Sequence, residues 1–534
     1  MKRNIIILAL LALCVGAGAQ SKSFTLGKWT EIQGSILKEL NRSYVDSLPI
    51  DRIERAGVNA MLGSLDPYTV YIPQEENEDL EMMISKTYGG IGAVIYKPDT
   101  DGNVIINEPY EGSPAAKNGL TCGDEIIAID GTTVHGLTSA QASEKMRGEA
   151  GTKVTFTVKK LRTQDTTDVV ITREKIHLPD VQYAGMLDKE TGYILQTGFS
   201  EGVAKEVRTE VQRLKKECGM KRLVLDLRGN GGGLLGEAVD IVSIFVPRGT
   251  LVVTAKGKDR NSNYECRTTK EPVDTKLPLL VLIDSGSASA SEIVSGALQD
   301  LDRASIMGTR SYGKGLVQSI RDLPYGGQLK VTTAKYYTPS GRCVQAIDYS
   351  NRNEDGSVGH IPDSLTHEFK TAGGRVVRDG GGITPDVELK LHDYSRLTYS
   401  LVAYGVIEQY SIEYVRKHES IPAVADFHFT DAEYEDFIEY AKGREFDYRS
   451  TARAYLDQAR IELKRDGLEE TVADQLDALS KSLDMDKETF LRLKKDEVIP
   501  FIEEEIAVRY YFQRAGAEIE IRYDDQLKEA LTKW

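Results

Sequence analysis

Small residues fill the stretch Asp284-Ser285-Gly286-Ser287-Ala288-Ser289-Ala290-Ser291-Glu292. It follows the apolar run Leu279 to Ile283, which is short enough for a buried strand. It precedes a helical pattern with Ile293, Ala297 and Leu298 on one face. A strand-to-helix turn of this kind exposes a side-chain oxygen beside backbone N–H groups that have no helical partner. The turn is therefore a candidate site of nucleophilic catalysis, although a Ser/Gly loop with a capping serine is the commoner outcome.

A lysine between two glycines follows in the next segment. Residues Arg303 to Gly308 predict a short strand, and Tyr312-Gly313-Lys314-Gly315 comes after it. A reactive serine needs a base, and none of the seven histidines lies in either segment. A distant histidine could still meet the serine in space, but Lys314 is the better candidate if burial lowers its pKa. If Gly315 to Ile320 is a strand, Lys314 and Gln318 share a face. The alternative is a surface lysine on a Gly-rich turn.

These two segments resemble the carboxyl-terminal processing proteases, also called tail-specific proteases. The resemblance is carried by Ser287 to Ile293, by Tyr312 to Gly315 and by Gln318, at the spacing of that family. The family consists of serine peptidases with a Ser–Lys dyad. The residues alone leave open which of the three serines reacts. The resemblance implies that Ser289 attacks, that Lys314 takes and returns the proton, and that Gln318 orients the lysine.

A second glycine-rich loop also matches this family. Leu223 to Leu227 predicts a buried strand, and the motif Asp226-Leu227-Arg228-Gly229-Asn230-Gly231-Gly232-Gly233 continues from it. The loop lacks the Lys-Ser/Thr ending of a P-loop and the glycine spacing of a dinucleotide site. The resemblance implies that it supplies one oxyanion-hole N–H, which we assign to Gly232, and that Ala290 supplies the other. Such donors are worth about 3–4 kcal/mol each in model enzymes.

A PDZ domain is predicted upstream, over residues 86–174. Tyr88 to Ile95 is a Gly-rich turn that runs into a strand, and Gly123 to Gly131 contains a strand that ends in a turn. These stretches resemble a PDZ domain, which binds an extended peptide by strand addition and holds its carboxylate on backbone amides. A PDZ domain that acts only as a regulatory lid is the alternative. The resemblance implies that the peptide-binding amides belong to Gly90, Ile91 and Gly92.

The N-terminal segment has the pattern of a secretory signal peptide. A basic start precedes the apolar core Ile5 to Val15, and Ala17-Gly18-Ala19 is typical of a cleavage site. Residues 1–19 are therefore left out of the predicted fold. Cys14 raises the question of a lipid anchor, but Leu13 is too large for that pattern. We expect a periplasmic or otherwise exported protein, with membrane association as the alternative.

Charge and cysteine content argue against a nucleic-acid-binding protein, a disulfide scaffold and a metal site. The net charge of −15 becomes about −17 without the two basic residues of the signal segment, which argues against nucleic acid as a partner. The four cysteines beyond that segment are scattered, so they predict neither a disulfide scaffold nor a metal site. Most of them are expected to be buried thiols. We predict no metal and no organic cofactor.

The chain is long enough for several domains. We predict a helical N-terminal region over residues 20–85, a Ser–Lys protease core over 175–392 and a helical C-terminal region over 393–534. The fold class is multidomain α/β, a mixed αβ serine-peptidase core with an inserted PDZ domain. The polar insert 351–378 predicts a mobile loop. The charge run Glu503-Glu504-Glu505 predicts a solvated helix face.

The predicted function is that of an exported serine endopeptidase that binds substrate C-terminal tails through its PDZ domain and cleaves near them. Its expected partners are proteins or peptides with free C-termini, and the C-terminal helices are expected to form a homo-oligomer or to dock an adaptor. The competing hypothesis is a catalytically inactive PDZ scaffold or adaptor on a protease fold, which intact Ser289, Lys314 and Gln318 disfavour. An acyl-CoA-type enzyme with a related sheet is disfavoured by the PDZ segment.

Overall fold

The computed structural model describes residues 2–97, 101–353, 355–390 and 393–534, with side chains from residue 23 onward except residue 363. The predicted boundary at residue 392 and the side chain of Cys14 lie outside this description. The chain forms two compact units, one of Met1–Gln74 with Gln318–Thr332 and the other of Glu75–Val317 with Thr333–Trp534. Within the described residues, no helix carries an apolar stretch of membrane-spanning length.

The first unit begins with helices, as predicted for this region. Its elements are α1 (Lys2–Ser43), α2 (Ile50–Gly63) and β1 (Val70–Ile72). Helix α1 continues through the predicted cleavage site. Strand β1 pairs antiparallel with a later strand, Val70 lying opposite Lys330.

The PDZ segment of the second unit is a small sheet with two short helices. Helix α3 (Asn77–Ser85) precedes it. Its elements are β2 (Thr87–Gly90), β3 (Ala93–Tyr96), β4 (Val104–Pro109), α4 (Pro114–Lys117), β5 (Glu125–Ile129), β6 (Thr132–Thr133), α5 (Ser139–Met146), β7 (Lys153–Lys159), β8 (Thr166–Thr172) and β9 (Glu174–His177). The strand order is β3-β4-β5-β7-β8, with β6 on β5, while β2 pairs with β9. Strand β3 is therefore at the edge of the sheet, and α5 lies against it.

Strands and helices alternate in the next segment, as the hydrophobic runs predict. The helices are α6 (Val203–Glu217), α7 (Leu235–Val242) and α8 (Ala290–Asp300). The strands are β10 (Val181–Met186), β11 (Thr191–Gln196), β12 (Arg222–Asp226), β13 (Leu251–Gly257), β14 (Tyr264–Arg267), β15 (Leu279–Ile283), β16 (Ser305–Gly308), β17 (Leu316–Asp322), β18 (Gln328–Tyr337), β19 (Ile347–Arg352), β20 (Val358–His360), β21 (Glu368–Lys370), β22 (Val376–Arg378) and β23 (Val387–Glu388).

The central sheet has the order β10-β11-β12-β15-β16-β23. Strand β10 is antiparallel to β11, and the remaining neighbours are parallel. Every residue of β15 is buried, with Val281 packed in one hydrophobic cluster and Leu280 in another. A parallel strand covered on both faces needs apolar residues throughout, which explains the uninterrupted run from Leu279 to Ile283.

The insert 351–378, which the sequence predicts as a loop, contains short strands. Strand β19 pairs with β20 and β21 pairs with β22, both antiparallel. Val377 is buried, and Phe369 is half-buried. These strands are too short and too polar to show the alternation that predicts a strand, so the loop prediction was wrong.

The C-terminal region is helical, as predicted. Its helices are α9 (Arg396–Ala403), α10 (Val406–Lys417), α11 (Asp431–Lys442), α12 (Thr451–Arg465), α13 (Glu469–Ser482), α14 (Lys487–Leu493), α15 (Lys495–Tyr523) and α16 (Asp525–Lys533). The solvated face predicted for Glu503 to Glu505 is wrong, because Glu503 is buried. Its carboxylate accepts hydrogen bonds from Phe429 N and Tyr523 Oη at 2.8 and 2.9 Å. Local sequence could not show these partners, which come from other elements.

The four cysteines of the described side chains are free thiols. Only Cys122 among them is buried, while Cys218 is exposed and Cys266 and Cys343 are half-buried. The prediction that most are buried is therefore wrong. Burial raises the pKa of the Cys122 thiol to about 11.

A buried contact joins the PDZ segment to the C-terminal helices. Arg509 of α15 donates to Asn107 O at 3.2 Å and to Cys122 Sγ at 2.8 Å. Glu108 lies beside this arginine and is buried. Burial raises the pKa of Glu108 from 4.5 to about 7, although Gln513 and Arg509 act in the opposite direction. This carboxyl group therefore makes the contact sensitive to pH.

Glu108→Gln is expected to raise the melting temperature at pH 8. Because the folded state holds the Glu108 proton more tightly than the unfolded state, the contribution of this group to wild-type stability falls as pH rises from 4.5 to about 7. Glutamine does not ionise, so it avoids a loss of free energy of folding of about 3 kcal/mol. Calorimetry at pH 4.5 and pH 8 checks this. The two proteins should melt together at the lower pH, and an equal difference at both pH values would contradict the prediction.

Candidate active site

Two loops meet at the carboxyl edge of the central sheet. Strands β12 and β15 are parallel neighbours, so the loop after Asp226 and the turn after Ile283 leave the sheet side by side. Asn230 joins them, because its carbonyl oxygen accepts Ala288 N at 3.0 Å and Ser291 Oγ at 2.8 Å. The glycine-rich loop is thereby fixed against the serine turn.

Ser289 has an unusual backbone conformation, with φ 56° and ψ −110°. A non-glycine residue in this region is strained and is held by its surroundings. The Ser289 N–H donates to Glu292 Oε2 at 2.8 Å, and its carbonyl accepts Ile293 N at 2.9 Å and Tyr336 Oη at 3.2 Å. A strained serine on a tight strand-to-helix turn is the arrangement that exposes a nucleophilic hydroxyl in other hydrolases.

The other two serines of the triplet have structural partners. Ser287 Oγ donates to Leu227 O at 2.8 Å, and Ser291 Oγ donates to Asn230 O at 2.8 Å. Both side chains are buried, whereas Ser289 is partly exposed. These contacts favour Ser289 among the three, a choice that the residues alone left open.

Glu292 is the residue that sequence reasoning missed. It is fully buried, and Oε2 accepts the N–H groups of Ser289 and Lys314, both at 2.8 Å. Oε1 accepts Gly313 N at 2.7 Å and Ser311 Oγ at 2.6 Å. Burial raises the pKa of Glu292 above its ordinary value, although these four hydrogen bonds favour the charged form. The sequence signal is Ser289-x-x-Glu292, the pattern of a capping box.

The bridge through Glu292 brings the two predicted catalytic residues together. Because the backbone nitrogens of Ser289 and Lys314 bind one carboxylate oxygen, they lie within two hydrogen-bond lengths of each other. The side chain of Lys314 is partly buried. These bonds place the two backbones, and the Ser289–Lys314 dyad remains a prediction.

The glycines around Lys314 occupy confined positions, as predicted. A Cβ at Gly313, where φ is 88°, would lie 2.3 Å from the Cβ of Ala346. A Cβ at Gly315 would lie 2.7 Å from Gln345 N. Any larger residue would displace the lysine backbone. Strand β17 begins only after these residues, so strand alternation does not set the direction of the lysine side chain.

Gln318 belongs to the first compact unit and Lys314 to the second. Gln318 is partly buried, and its Nε2 donates to Thr332 Oγ1 at 3.3 Å. Its predicted effect on the lysine remains a prediction.

The two predicted oxyanion donors are also close together. A Cβ at Gly232 would lie 2.9 Å from Ala290 N, and φ at Gly232 is 95°. Ala290 is the first residue of α8, and no acceptor in the described part of the chain pairs with its N–H. The Gly232 N–H donates to Asn230 Oδ1 at 2.9 Å, so it reaches an oxyanion only by sharing or releasing that bond.

The predicted peptide-binding residues precede the edge strand of the PDZ sheet. Gly90 ends β2 opposite Glu174, and Ile91 and Gly92 form the turn into β3. The carbonyl of Ile91 accepts Ala115 N at 2.8 Å, which fixes the turn. An extended peptide could add to the open edge of β3, beside α5.

Two buried side chains outside the two loops make further contacts near the site. Asp300, the last residue of α8, forms a buried ion pair with Arg342 at 2.9 Å and accepts Ser340 N at 3.0 Å. Tyr336, whose hydroxyl contacts the Ser289 carbonyl, was not assigned a role from sequence. Burial raises its pKa well above the ordinary value, so the hydroxyl acts as a donor.

Comparison with known families agrees with this arrangement. Residues 190–350 match Peptidase family S41, and residues 105–160 match the PDZ domain. Residues 397–533 match a family described as "Probable PDZ-protease, C-terminal helical domain". The C-terminal helices, in which the sequence showed no catalytic motif, are thus a known companion of such proteases.

Several known proteins are similar to this chain over part of its length. A carboxy-terminal-processing protease of Bartonella bacilliformis is 37% identical over 320 residues, 59% of this chain and 72% of the relative. A probable CtpA-like serine protease of Staphylococcus aureus is 34% identical over 316 residues, 58% of this chain and 61% of the relative. The solved photosystem II D1 C-terminal processing protease is 25% identical and covers 66% of this chain and 91% of that one, with a TM-score of 0.35.

The fold and the matches define a serine peptidase with a PDZ domain and a helical C-terminal domain. The chain belongs to peptidase family S41. The predicted fold class and the predicted serine-peptidase class are confirmed.

Proposed function

We propose that this peptidase processes the C-terminal tails of exported proteins and uses a Ser289–Lys314 dyad. The PDZ domain, over residues 86–174, binds the free tail of a protein or peptide substrate. The protease core, over residues 175–392, cleaves nearby, with Gln318 orienting the lysine. The reaction needs no metal and no organic cofactor.

One observation carries this proposal. The buried Glu292 carboxylate accepts the backbone N–H groups of both Ser289 and Lys314 at 2.8 Å. A fully buried carboxylate is costly unless it is well paired, so its four donors indicate a site built to hold these two backbones in fixed relation. A scaffold without catalysis would not need this constraint.

The proposed reaction is acyl transfer. Ser289 Oγ attacks the scissile carbonyl while neutral Lys314 removes its proton, and the N–H groups of Gly232 and Ala290 stabilise the oxyanion. The carbon–nitrogen bond then breaks, and the lysine returns the proton to the departing amine. Water, activated by the same lysine, hydrolyses the acyl-enzyme and regenerates Ser289.

Substrate selection is assigned to the PDZ domain. The tail adds to the edge of β3, and its carboxylate is held by the turn formed by Gly90, Ile91 and Gly92. The edge position of β3 supports this assignment. Apolar side chains next to the turn favour apolar tails.

Export is proposed from residues 1–19, which act as a signal peptide and are removed. The helical region 20–85 then begins the mature chain. The helical region 393–534 is proposed to support a homo-oligomer or to dock an adaptor. N-terminal sequencing of the secreted product tests the cleavage.

A peptide with a free apolar C-terminus is expected to be cleaved at least about tenfold faster than its C-terminally amidated form at low concentration, because amidation removes the carboxylate that the PDZ turn binds. The measurement is kcat/KM for the two peptides, with Ser289→Ala as the control for contaminating proteases. Equal values for the two peptides would contradict tail recognition, and cleavage by Ser289→Ala at the wild-type rate would contradict the proposed nucleophile.

A further inference from the structure

Arg228 connects the glycine-rich loop to the C-terminal helical domain. Its Nη1 donates to Gln526 Oε1 at 2.9 Å, and its Nη2 donates to Asp524 Oδ2 at 2.5 Å. Its Nε also donates to Asp226 at 3.0 Å, and Asp226 accepts the hydroxyl of Tyr193 at 2.7 Å. The arginine therefore ties the end of β12 to the turn between α15 and α16.

This ion pair is largely shielded from solvent. The side chains of Arg228 and Asp524 are 20% and 13% exposed, and that of Asp226 is 1% exposed. Burial lowers the pKa of Arg228, but the carboxylates of Asp226 and Asp524 outweigh it and raise the pKa overall. Salt screens such a pair weakly, so it holds its geometry better than an exposed pair.

The glycine-rich loop beyond Arg228 needs contacts with other segments to keep one shape. Gly229, Gly232 and Gly233 all have positive φ, at 67°, 95° and 153°. Glycine loses more conformational freedom than any other residue when it is fixed, so the loop needs external contacts to keep one shape. Gly229 N donates to Asp284 Oδ1 at 2.8 Å, and Asn230 Nδ2 donates to Gln196 O at 2.8 Å. Arg228 adds the contacts that reach the C-terminal helical domain.

We propose that Asp524 is a positioning residue of the peptidase: through Arg228 it holds the glycine-rich loop in the shape that presents its N–H groups to the oxyanion. The inference rests on the proposed function, because it requires this loop to act on a substrate at Ser289. Asp524 touches no substrate itself. The C-terminal helical domain thereby contributes to the rate of the chemical step.

The two carboxylate oxygens of Asp524 have separate partners, so a substitution can remove one contact and keep the other. Oδ1 accepts Leu527 N at 2.8 Å and caps α16, while Oδ2 binds Arg228. Asparagine caps a helix as well as aspartate does, so Asp524→Asn keeps the cap and removes the charge that faces the arginine. Asp486, which caps α14 by accepting Thr489 N at 2.7 Å, offers a matched control in the same domain.

The test compares kcat and KM of the full-length wild type, Asp524→Asn, Asp524→Glu and Asp486→Asn on one free-tail peptide. Asp524→Asn should lower kcat about tenfold, a part of what is lost when an oxyanion donor is removed, and should leave KM within about twofold. Asp524→Glu should recover part of the loss because it restores the charge. Asp486→Asn should match the wild type.

An unchanged kcat in a folded Asp524→Asn protein would overturn the inference, and so would an equal loss in Asp486→Asn. If Asp524→Asn does not fold, Gln526→Leu is the substitute, because it removes the contact between Arg228 Nη1 and Gln526 Oε1. A kcat of Gln526→Leu equal to that of the wild type would then overturn the inference. The proposed function fails separately, if the wild type does not cleave the peptide or if Ser289→Ala cleaves it equally well.

Discussion

Ser289→Ala and Lys314→Ala are each expected to lower peptide cleavage by about 10⁴-fold or more, the loss seen when a nucleophile or its base is removed from a serine hydrolase. The two residues act as one unit, because the serine is reactive only when the lysine accepts its proton. The double variant should therefore be no slower than either single variant. Initial rates on a free-tail peptide measure this.

Lys314→Arg is the sharper control for the base. Arginine keeps the positive charge but does not lose a proton at accessible pH, so it should be as inactive as alanine. Ser285→Ala, an exposed serine in the same turn, should keep full activity. Wild-type activity should rise through the alkaline range as the lysine becomes neutral. A flat profile there, or substantial activity in Lys314→Arg, would contradict a lysine base.

Glu292→Gln is expected to lower kcat by about 10²-fold and to lower the melting temperature. A neutral amide offers one acceptor oxygen in place of two, so some of the N–H and hydroxyl groups that now meet the carboxylate would face an NH₂ group. The backbones of Ser289 and Lys314 would then lose their shared anchor, and a small misplacement of reacting groups can cost this much in rate.

A matched carboxylate separates positioning from general stability. Glu237 accepts the backbone N–H groups of Gly202 and Ala204 at 3.0 and 2.9 Å and accepts no N–H group of the serine turn in the described part of the chain. Glu237→Gln should lower the melting temperature without a comparable loss of kcat. Equal loss of kcat in both variants would mean that Glu292 acts only through the stability of the core.

Many helices and strands of this chain could be predicted because local sequence shows which of their faces are buried. The run Leu279 to Ile283 is apolar throughout because both faces of its sheet are covered, and Val203 to Lys216 shows the helical period that α6 adopts. The approach of the glycine-rich loop to the serine turn depends on the parallel pairing of β12 with β15, which local sequence does not show.

The contacts that complete the site could not be predicted because their partners lie far apart in sequence or are charged residues with no local sign of burial. Glu292 lies in the quoted motif, yet only its three-dimensional neighbours show that it is buried. Glu503 is part of an acidic run that is typical of a solvent-exposed helix, and it is buried by pairing with Phe429 and Tyr523. The contact between Arg228 and Asp524 spans most of the chain and leaves no pattern.

The most direct test of the Ser289–Lys314 site is peptide mapping by mass spectrometry after treatment with a fluorophosphonate, which labels an activated serine. We expect one label per chain, on Ser289, at a rate that rises with pH in the wild type and is lost in Lys314→Ala. A label on another residue, or undiminished labelling of Lys314→Ala, would contradict it.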